Sequence, residues 1–123
     1  MEVQVVPDAR WNDAAREAVS QGLRGRLGAT VAVELKLLDY RDLDAQFDHV
    51  VSIEMFEAVG ESYWPGYFAM LRDRLRPGGR AVVQSITIAD AKFERYRSGT
   101  DFIQQFIFPG GMLPSPSRFR EAA

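Results

Sequence analysis

The stretch His49-Val50-Val51-Ser52-Ile53-Glu54 is typical of a strand buried on both faces, as in a parallel sheet. Upstream, the residues from Val31 to Leu38 alternate between apolar and polar, which predicts a strand with one wetter face. Downstream, Arg80 to Ile88 predicts a third strand, with Ala81-Val82-Val83 as its buried core. These three strands set the framework for the rest of the chain.

A helix is predicted between the second and third of these strands, from about Tyr63 to Leu75. Ser62 is a suitable cap, and Pro65 lies in the first turn, where a missing amide hydrogen does no harm. Pro77-Gly78-Gly79 should end the helix abruptly.

The first thirty residues carry weaker signals. Asp13 to Gln21 favours a helix capped by Asn12 or Asp13, and Gly22, Gly25 and Gly28 should then break it. A glycine-rich phosphate loop should follow a strand and open a helix, whereas these glycines follow a helix. A helix-to-strand connection is therefore favoured over a cofactor loop.

The order strand, loop, strand, helix, turn, strand predicts an α/β fold with a mostly parallel open sheet and flanking helices. A charged and aromatic helical stretch from Asp90 to Phe108 follows the last strand. The chain of 123 residues suits one small domain.

Composition excludes several classes of protein. The net charge of -2 argues against a nucleic-acid binder. The absence of cysteine, with His49 as the only histidine, excludes disulfides and leaves no thiolate or His-rich metal site. The N-terminus does not resemble a signal peptide, and no apolar run approaches the ~20 residues that span a bilayer. The expected location is cytoplasmic.

Polar groups follow each predicted strand, where open α/β sheets bind ligands. The three segments are Asp39-Tyr40-Arg41-Asp42, Glu54 to Gly60, and Gln84 to Ile88. The first offers an aromatic ring and a carboxylate that suit an adenine. An aspartate after a strand is, however, more often a turn residue, so both interpretations stay open.

Glu57 lies in an otherwise apolar loop, where burying an unpaired carboxylate would be costly. Either its side chain points to water at the start of a helix, or it is held inside because something binds it. The pattern alone slightly favours solvent.

Ile107 to Ser115 mixes apolar residues with turn formers, as ligand-lining loops do, and so does Ser52 to Gly60. These stretches belong to a run of blocks at consistent spacing that resembles the cyclopropane-fatty-acyl-phospholipid synthase family. The blocks are Leu38–Leu43, Phe47–Ile53, Phe56–Gly60, Tyr63–Phe68, Leu71–Leu75, Pro77–Gly79, Val83–Ile88 and Phe108–Gly111.

The resemblance implies a partial Rossmann-like class I methyltransferase fold over residues 35–123, with residues 1–34 poorly matched. It also implies transfer of a methyl or methylene group from S-adenosylmethionine to the double bond of an unsaturated phospholipid acyl chain, at the inner face of the membrane. The residues implied to bind the cofactor are Asp39, Tyr40, Ser52 and Ile53.

The resemblance further implies a catalytic set of Glu57, Gln84 and Ile86, with bicarbonate as a candidate second ligand and general base. Methyl transfer to an alkene leaves a carbocation, which aromatic faces can stabilise. The residues expected to line the acyl chain are Phe56, Phe106, Phe108 and Met112, and Tyr67 is a further aromatic candidate.

Three positions depart from the family pattern. Many members have histidine where Ala58 and Gln84 stand, and cysteine where Met112 stands. Glutamine can hydrogen-bond an anion but cannot exchange a proton as histidine does. Ring closure and methyl or methylene branching therefore both remain open as outcomes.

The family's glycine-rich cofactor loop has no counterpart before Leu35, which suggests a truncated form. The alternative function is thus a non-catalytic α/β module that associates with itself or a partner through an exposed sheet edge. A methyltransferase with a small non-lipid substrate is a third, weaker interpretation.

Overall fold

The structure is a computed structural model that describes residues 2–6, 12–99, 103–107 and 109–123. The chain divides into two compact units, Met1–Leu43 and Asp44–Ala123. The boundary predicted after residue 34 falls inside a strand of the first unit.

The first unit is a β-α-β motif. Strand β1 (Glu2–Val5) pairs in parallel with β2 (Ala32–Leu35), and helix α1 (Asp13–Leu27) connects them and packs against β2. Strand β1 was not predicted from the sequence. A turn of 3-10 helix, Tyr40–Asp42, follows β2.

Helix α1 is longer than predicted. Of the two predicted caps, Asn12 and Asp13, the structure selects Asn12, because its side chain accepts a 2.9 Å hydrogen bond from the Ala15 N–H. The helix continues through Gly22 and Gly25 and ends at Gly28, which has a φ of 110°. The prediction that all three glycines break the helix was wrong for the first two, because an interior glycine costs only about 1 kcal/mol.

The second unit is also built on a β-α-β motif. Its elements are β3 (Phe47–Ile53), α2 (Phe56–Val59), a 3-10 turn (Glu61–Tyr63), α3 (Trp64–Arg74), β4 (Leu75–Gln84), α4 (Asp90–Ser98), a π-helical segment (Ile103–Ile107) and α5 (Pro116–Ala122).

Strands β3 and β4 pair in parallel, and this confirms the predicted pairing type. Phe47 lies opposite Leu75, but His49 lies opposite Arg80, so residues 76–79 bulge out of the pairing. Pro77-Gly78-Gly79 was predicted to end the helix. Instead α3 ends at Arg74, and these three residues lie in the bulge together with Arg76, where Gly78 has a φ of 80°.

The two faces of the β3–β4 sheet differ in burial. Ser52 is buried on the face that α3 covers, whereas Val51, Ile53 and Val82 are 65%, 62% and 62% exposed on the other face. The prediction that β3 is buried on both faces was therefore wrong, and so was the buried core assigned to Ala81 and Val82. The apolar run specifies a strand, but only tertiary packing decides which faces are covered.

Two helix boundaries also differ from expectation. Ser62 does not cap α3, because it lies within the preceding 3-10 turn and the helix begins at Trp64, with Pro65 in its first turn as predicted. The stretch from Asp90 is divided into α4 and the π-helical segment, and residues 100–102 and 108 lie outside the described part. None of the described helices is long and apolar enough to cross a membrane.

Candidate functional site

Glu54 and Gln84 join the carboxyl ends of β3 and β4. The Glu54 N–H donates to the Gln84 carbonyl oxygen at 2.9 Å, and the Gln84 Nε2 donates to the Glu54 Oε1 at 2.9 Å. Glu54 holds a φ of 49°, in the left-handed region that non-glycine residues rarely occupy. Such strain at a strand end often accompanies a functional site.

Glu57 turns inward from the first turn of α2. Its Oε1 accepts a hydrogen bond from the Ile86 N–H, just beyond the end of β4. Its Oε2 is buried and has no hydrogen-bond partner among the described residues. The structure thus selects the inward orientation over the solvent one, and it brings Glu57, Gln84 and Ile86 to one end of the sheet.

The loop after the π-helical segment docks on this end of the sheet. The Met112 N–H donates to the Glu57 carbonyl oxygen at 2.8 Å, and the Ile88 N–H donates to the Pro114 carbonyl oxygen at 3.0 Å. Pro114 and Ser115 are fully buried. Glu57 therefore lies between the end of β4 and this loop.

Two side chains outside the predicted set also hold the loop. The Tyr96 hydroxyl accepts from the Leu113 N–H at 3.3 Å, and the Gln104 Nε2 lies 3.7 Å from the Met112 Sδ as a donor. Tyr96 was expected only as a member of the charged and aromatic helical stretch from Asp90 to Phe108. No pattern in the sequence indicates these contacts, because they join positions 8 to 17 residues apart.

Phe56 does not line an open site. It is 0% exposed, and its ring stacks on Trp64 at a centroid distance of 5.1 Å. Tyr67 and Phe119 pack edge-on against it at 5.1 and 5.0 Å. Phe56 is thus the centre of the aromatic core beneath the site.

Ser52 and Ile53, the predicted cofactor contacts at the end of β3, point to opposite faces. The buried Ser52 Oγ accepts a 2.7 Å hydrogen bond from the Tyr67 hydroxyl, so its side chain belongs to the core. Ile53 points to the open face. Contact with a cofactor stays a prediction for both.

Asp39 has a local structural role. Its carboxylate accepts from the Arg41 backbone N–H at 2.9 Å and pairs with the guanidinium at 2.8 and 2.7 Å. The hydrogen bond from the Arg41 side chain lowers the pKa of the Asp39 carboxyl to about 2. Burial raises the pKa of the Tyr40 hydroxyl. These contacts match the turn interpretation. The contact with an adenine stays a prediction, since Asp39 belongs to the first unit and the strand ends of β3 and β4 belong to the second.

The apolar residues assigned to the acyl chain are placed differently from one another. Phe106 is 63% exposed, whereas Met112 is half-buried. Ile86, which was assigned to the catalytic set, is 53% exposed. Phe108 lies outside the described residues. Ile86 places exposed apolar surface beside Glu57, because its own N–H donates to the Glu57 carboxylate.

Carboxylates dominate the charge at the strand ends. No described lysine or arginine forms an ion pair with Glu54 or Glu57. Glu54 and Glu57 together therefore favour a cationic ligand over an anionic one, since like charges repel each other.

Comparison with known proteins connects this geometry to a family. A family model described as mycolic acid cyclopropane synthetase matches residues 13–123. The tuberculostearic acid methyltransferase UfaA1 of Mycobacterium tuberculosis is 52% identical over 83 residues, covering 68% of this chain and 19% of the relative. The cyclopropane-fatty-acyl-phospholipid synthase of Escherichia coli K12 is 37% identical over 91 residues, covering 74% of this chain and 23% of the relative.

Solved structures share the fold. The cyclopropane synthase MmaA2 from Mycobacterium tuberculosis matches with a TM-score of 0.66 and 18% identity, covering 98% of this chain and 52% of its own. The mycolic acid cyclopropane synthase CmaA1, complexed with SAH and CTAB, matches with the same TM-score at 23% identity and the same coverages. The predicted α/β class is confirmed. The chain spans about a fifth of the length of these curated relatives and about half of the solved chains.

Proposed function

Because this chain belongs to the mycolic acid cyclopropane synthetase family, whose members are S-adenosylmethionine-dependent fatty acid cyclopropane synthases and methyltransferases, we propose that it transfers a methyl or methylene group. The donor is S-adenosylmethionine, and the acceptor is the double bond of an unsaturated phospholipid acyl chain. Two relatives named for fatty acid methylation and for cyclopropane formation on phospholipid support this choice.

One observation carries the proposal: Glu57 is held inside at the strand ends, and one of its oxygens has no hydrogen-bond partner among the described residues. Its Oε1 is fixed by the Ile86 N–H, while its buried Oε2 has no partner among the described residues. A buried acceptor without a donor is costly and is retained where a ligand or reaction uses it. Adjacent exposed apolar surface on Ile86 suits a hydrocarbon substrate.

The charge of the site fits the cofactor. Glu54 and Glu57, neither in an ion pair with a described residue, favour a positively charged group at the ends of β3 and β4. Bound there, S-adenosylmethionine would supply an electrophilic methyl group on a sulfonium centre. Glu54 would face that charge at the surface, and Glu57 would face it from inside.

The loop that carries Met112 would exclude water from the reacting carbon. It is held by backbone hydrogen bonds from Met112 to Glu57 and from Ile88 to Pro114. Excluding water matters because water traps a carbocation. Of the predicted aromatic candidates, Phe56 and Tyr67 are fully buried in the core, so Phe106 is the described ring that remains for cation stabilisation.

Bicarbonate does not fit the described residues. The Ile86 N–H, which the resemblance assigns to that ion, already donates to Glu57, and the neighbouring carboxylates would repel an anion. No step of the proposed function therefore requires bicarbonate.

The test combines binding with turnover. Calorimetry with S-adenosylmethionine should show saturable binding, and a methyl-labelled cofactor should label vesicles of an unsaturated phosphatidylethanolamine. Vesicles of the saturated lipid should stay unlabelled. Glu57→Gln should abolish labelling but retain binding, while Glu94→Gln, which changes an exposed carboxylate paired with Arg118, should leave labelling intact. Labelling by Glu57→Gln at the wild-type rate would contradict the proposal.

A second candidate function is self-association as a non-catalytic module. The exposed valines Val51 and Val82, which are partners in the β3–β4 register, favour it because parallel sheets are normally covered on both faces. Sedimentation velocity should then show a concentration-dependent dimer that Val82→Glu disrupts. A monomer at all concentrations would contradict this function.

A further inference from the structure

The position assigned to an anion at the end of β4 is already filled by the protein's own carboxylate. The Ile86 N–H donates to the Glu57 Oε1, and the Met112 N–H of the docked loop donates to the Glu57 carbonyl oxygen, which fixes the backbone of α2 there. A backbone N–H has a single hydrogen. It therefore cannot serve Glu57 and a second acceptor equally well.

Gln84 does not restore an anion site. A carboxylate can only accept, so the contact between the Gln84 Nε2 and the Glu54 Oε1 fixes the orientation of the amide. One amide hydrogen is used by Glu54, and that carboxylate places a negative charge beside the other. An anion approaching the Gln84 amide would therefore meet the negative charge of Glu54.

We infer that the carboxylate of Glu57 itself occupies the anion position beside the Ile86 N–H and is the proton acceptor of the reaction, in place of an exogenous bicarbonate. The role of Glu57 as proton acceptor rests on the proposed function. Its occupancy of the position beside the Ile86 N–H rests on the observed contacts alone. Oε2, which is buried and has no partner in the described part of the chain, is the oxygen that takes the proton.

The proton transfer balances without another reactant. Methyl transfer forms a carbon–carbon bond with the alkene electron pair and leaves a carbocation on the acyl chain. Oε2 of Glu57 then accepts a proton from the added methyl group, and the C–H electron pair closes the three-membered ring. If the proton comes from a neighbouring chain carbon, the same pair forms a double bond in a branched product. The neutral carboxyl group afterwards releases the proton to solvent.

Occupancy is tested by NMR titration of the ¹⁵N-labelled chain with sodium bicarbonate, with sodium chloride as the ionic-strength control. The Ile86 amide resonance of the wild type should not move. Glu57→Ala removes the internal acceptor, so the same resonance should shift saturably with bicarbonate. Glu57→Gln retains an oxygen for the Ile86 N–H and should stay silent, which makes it the matched control.

Two results of this titration would overturn the inference. A saturable bicarbonate shift in the wild type would show that the ion displaces Glu57. If the Ile86 resonance of Glu57→Ala did not shift with bicarbonate while the rest of its amide spectrum stayed native, the position beside the Ile86 N–H would not bind anions at all. Both judgements are independent of methyl transfer.

The chemical role is tested by turnover in buffer freed of carbon dioxide. Adding bicarbonate should leave the transfer rate unchanged. Glu57→Gln should lower formation of proton-loss products by ~100-fold or more, the usual contribution of a general base. A several-fold stimulation by bicarbonate would overturn the role of Glu57. A complete lack of labelling in the wild type would contradict the proposed function, while the titration would still decide the occupancy.

Discussion

A β-carbon built on Gly60 would lie 2.8 Å from the carbonyl oxygen of Gly110. This contact brings the end of α2 against the loop that covers Glu57. Gly60 also has a φ of 84°, a conformation that L-residues with a side chain rarely adopt. Glycine is therefore required at this position by both space and backbone geometry.

Gly60→Ala should destabilise the second unit by about 2 kcal/mol, from the left-handed conformation together with the displaced loop. Urea unfolding followed by tryptophan fluorescence measures the change. Gly66→Ala is the matched control, because nothing lies within 4 Å of the added methyl group in α3. The control should keep or raise the free energy of unfolding, and an equal loss in both variants would contradict the explanation.

Tyr67→Phe should cost about 1–2 kcal/mol of stability. It removes the 2.7 Å hydrogen bond to the Ser52 Oγ and leaves a buried hydroxyl group with less pairing. Chemical denaturation of Tyr67→Phe, Ser52→Ala and the double variant gives the coupling energy between the two residues. Tyr63→Phe, at a 60% exposed position, is the control. A coupling energy of zero would mean that the bond does not stabilise the fold.

Phe56→Ala should lower the free energy of unfolding by about 3–5 kcal/mol, because it opens a cavity among the rings of Trp64, Tyr67 and Phe119. Phe56→Leu, which fills most of the space, should lose less. Val82→Ala, on the open face of the sheet, should change stability by less than about 0.5 kcal/mol. A small loss for Phe56→Ala would place that ring outside the core, where it could line a substrate site after all.

Glu54→Gly should separate stability from activity. Glycine relieves the positive φ of Glu54 but adds freedom to the unfolded chain, so stability should change by less than about 1 kcal/mol. Losing the carboxylate frees the Gln84 side chain and removes the negative charge that we propose faces the cofactor, so labelling of vesicles should fall several-fold. Glu54→Gln keeps an oxygen for Gln84 and should bind S-adenosylmethionine more weakly while preserving the Gln84 contact. Unchanged labelling in both variants would remove Glu54 from the site.

Asp39 should titrate with a pKa of about 2, compared with the ordinary value of 3.8, because of its hydrogen bonds with Arg41. Because the pKa of Asp39 is lower in the folded state than in the unfolded state, its ionised carboxylate stabilises the folded state fully above pH ~4. This stabilisation is lost as the pH falls from there through about 2. ¹³C NMR of the Asp39 carboxyl carbon measures the value directly.

Arg41→Gln should return the Asp39 pKa towards its ordinary value. Arg26→Gln is the control, since only Arg41 is responsible for the electrostatic part of the shift. An unshifted Asp39 in the wild type would leave its carboxylate available for another partner, such as an adenine.

The local elements of this protein follow from local sequence. The apolar run of β3, the Asn12 cap of α1 and Pro65 in the first turn of α3 were predictable, because they depend on neighbouring residues. The resemblance of spaced blocks also identified the family. The placement of Glu57, Gln84 and Ile86 at one end of the sheet follows from the parallel pairing of β3 with β4.

Other features depend on which residues meet across long separations. Phe56 was assigned to the substrate, yet it is the centre of the core, because four helical aromatic residues close around it. Gln84 was considered as a ligand for an anion, yet its amide is held by Glu54, which sequence reasoning did not single out. An aromatic or amide side chain has the same local pattern in either role.

The sequence by itself therefore determined the α/β class, the family and the strand ends at which polar groups gather, since periodicity, caps and motif spacing are local properties. Only the tertiary structure decided that Glu57 turns inward to the Ile86 N–H and that one face of the β3–β4 sheet stays open. The physical reason is that burial and hydrogen-bond pairing are properties of residues far apart in the chain. A carboxylate has the same intrinsic chemistry in water and in a core, and only its neighbours in space decide which partner it binds.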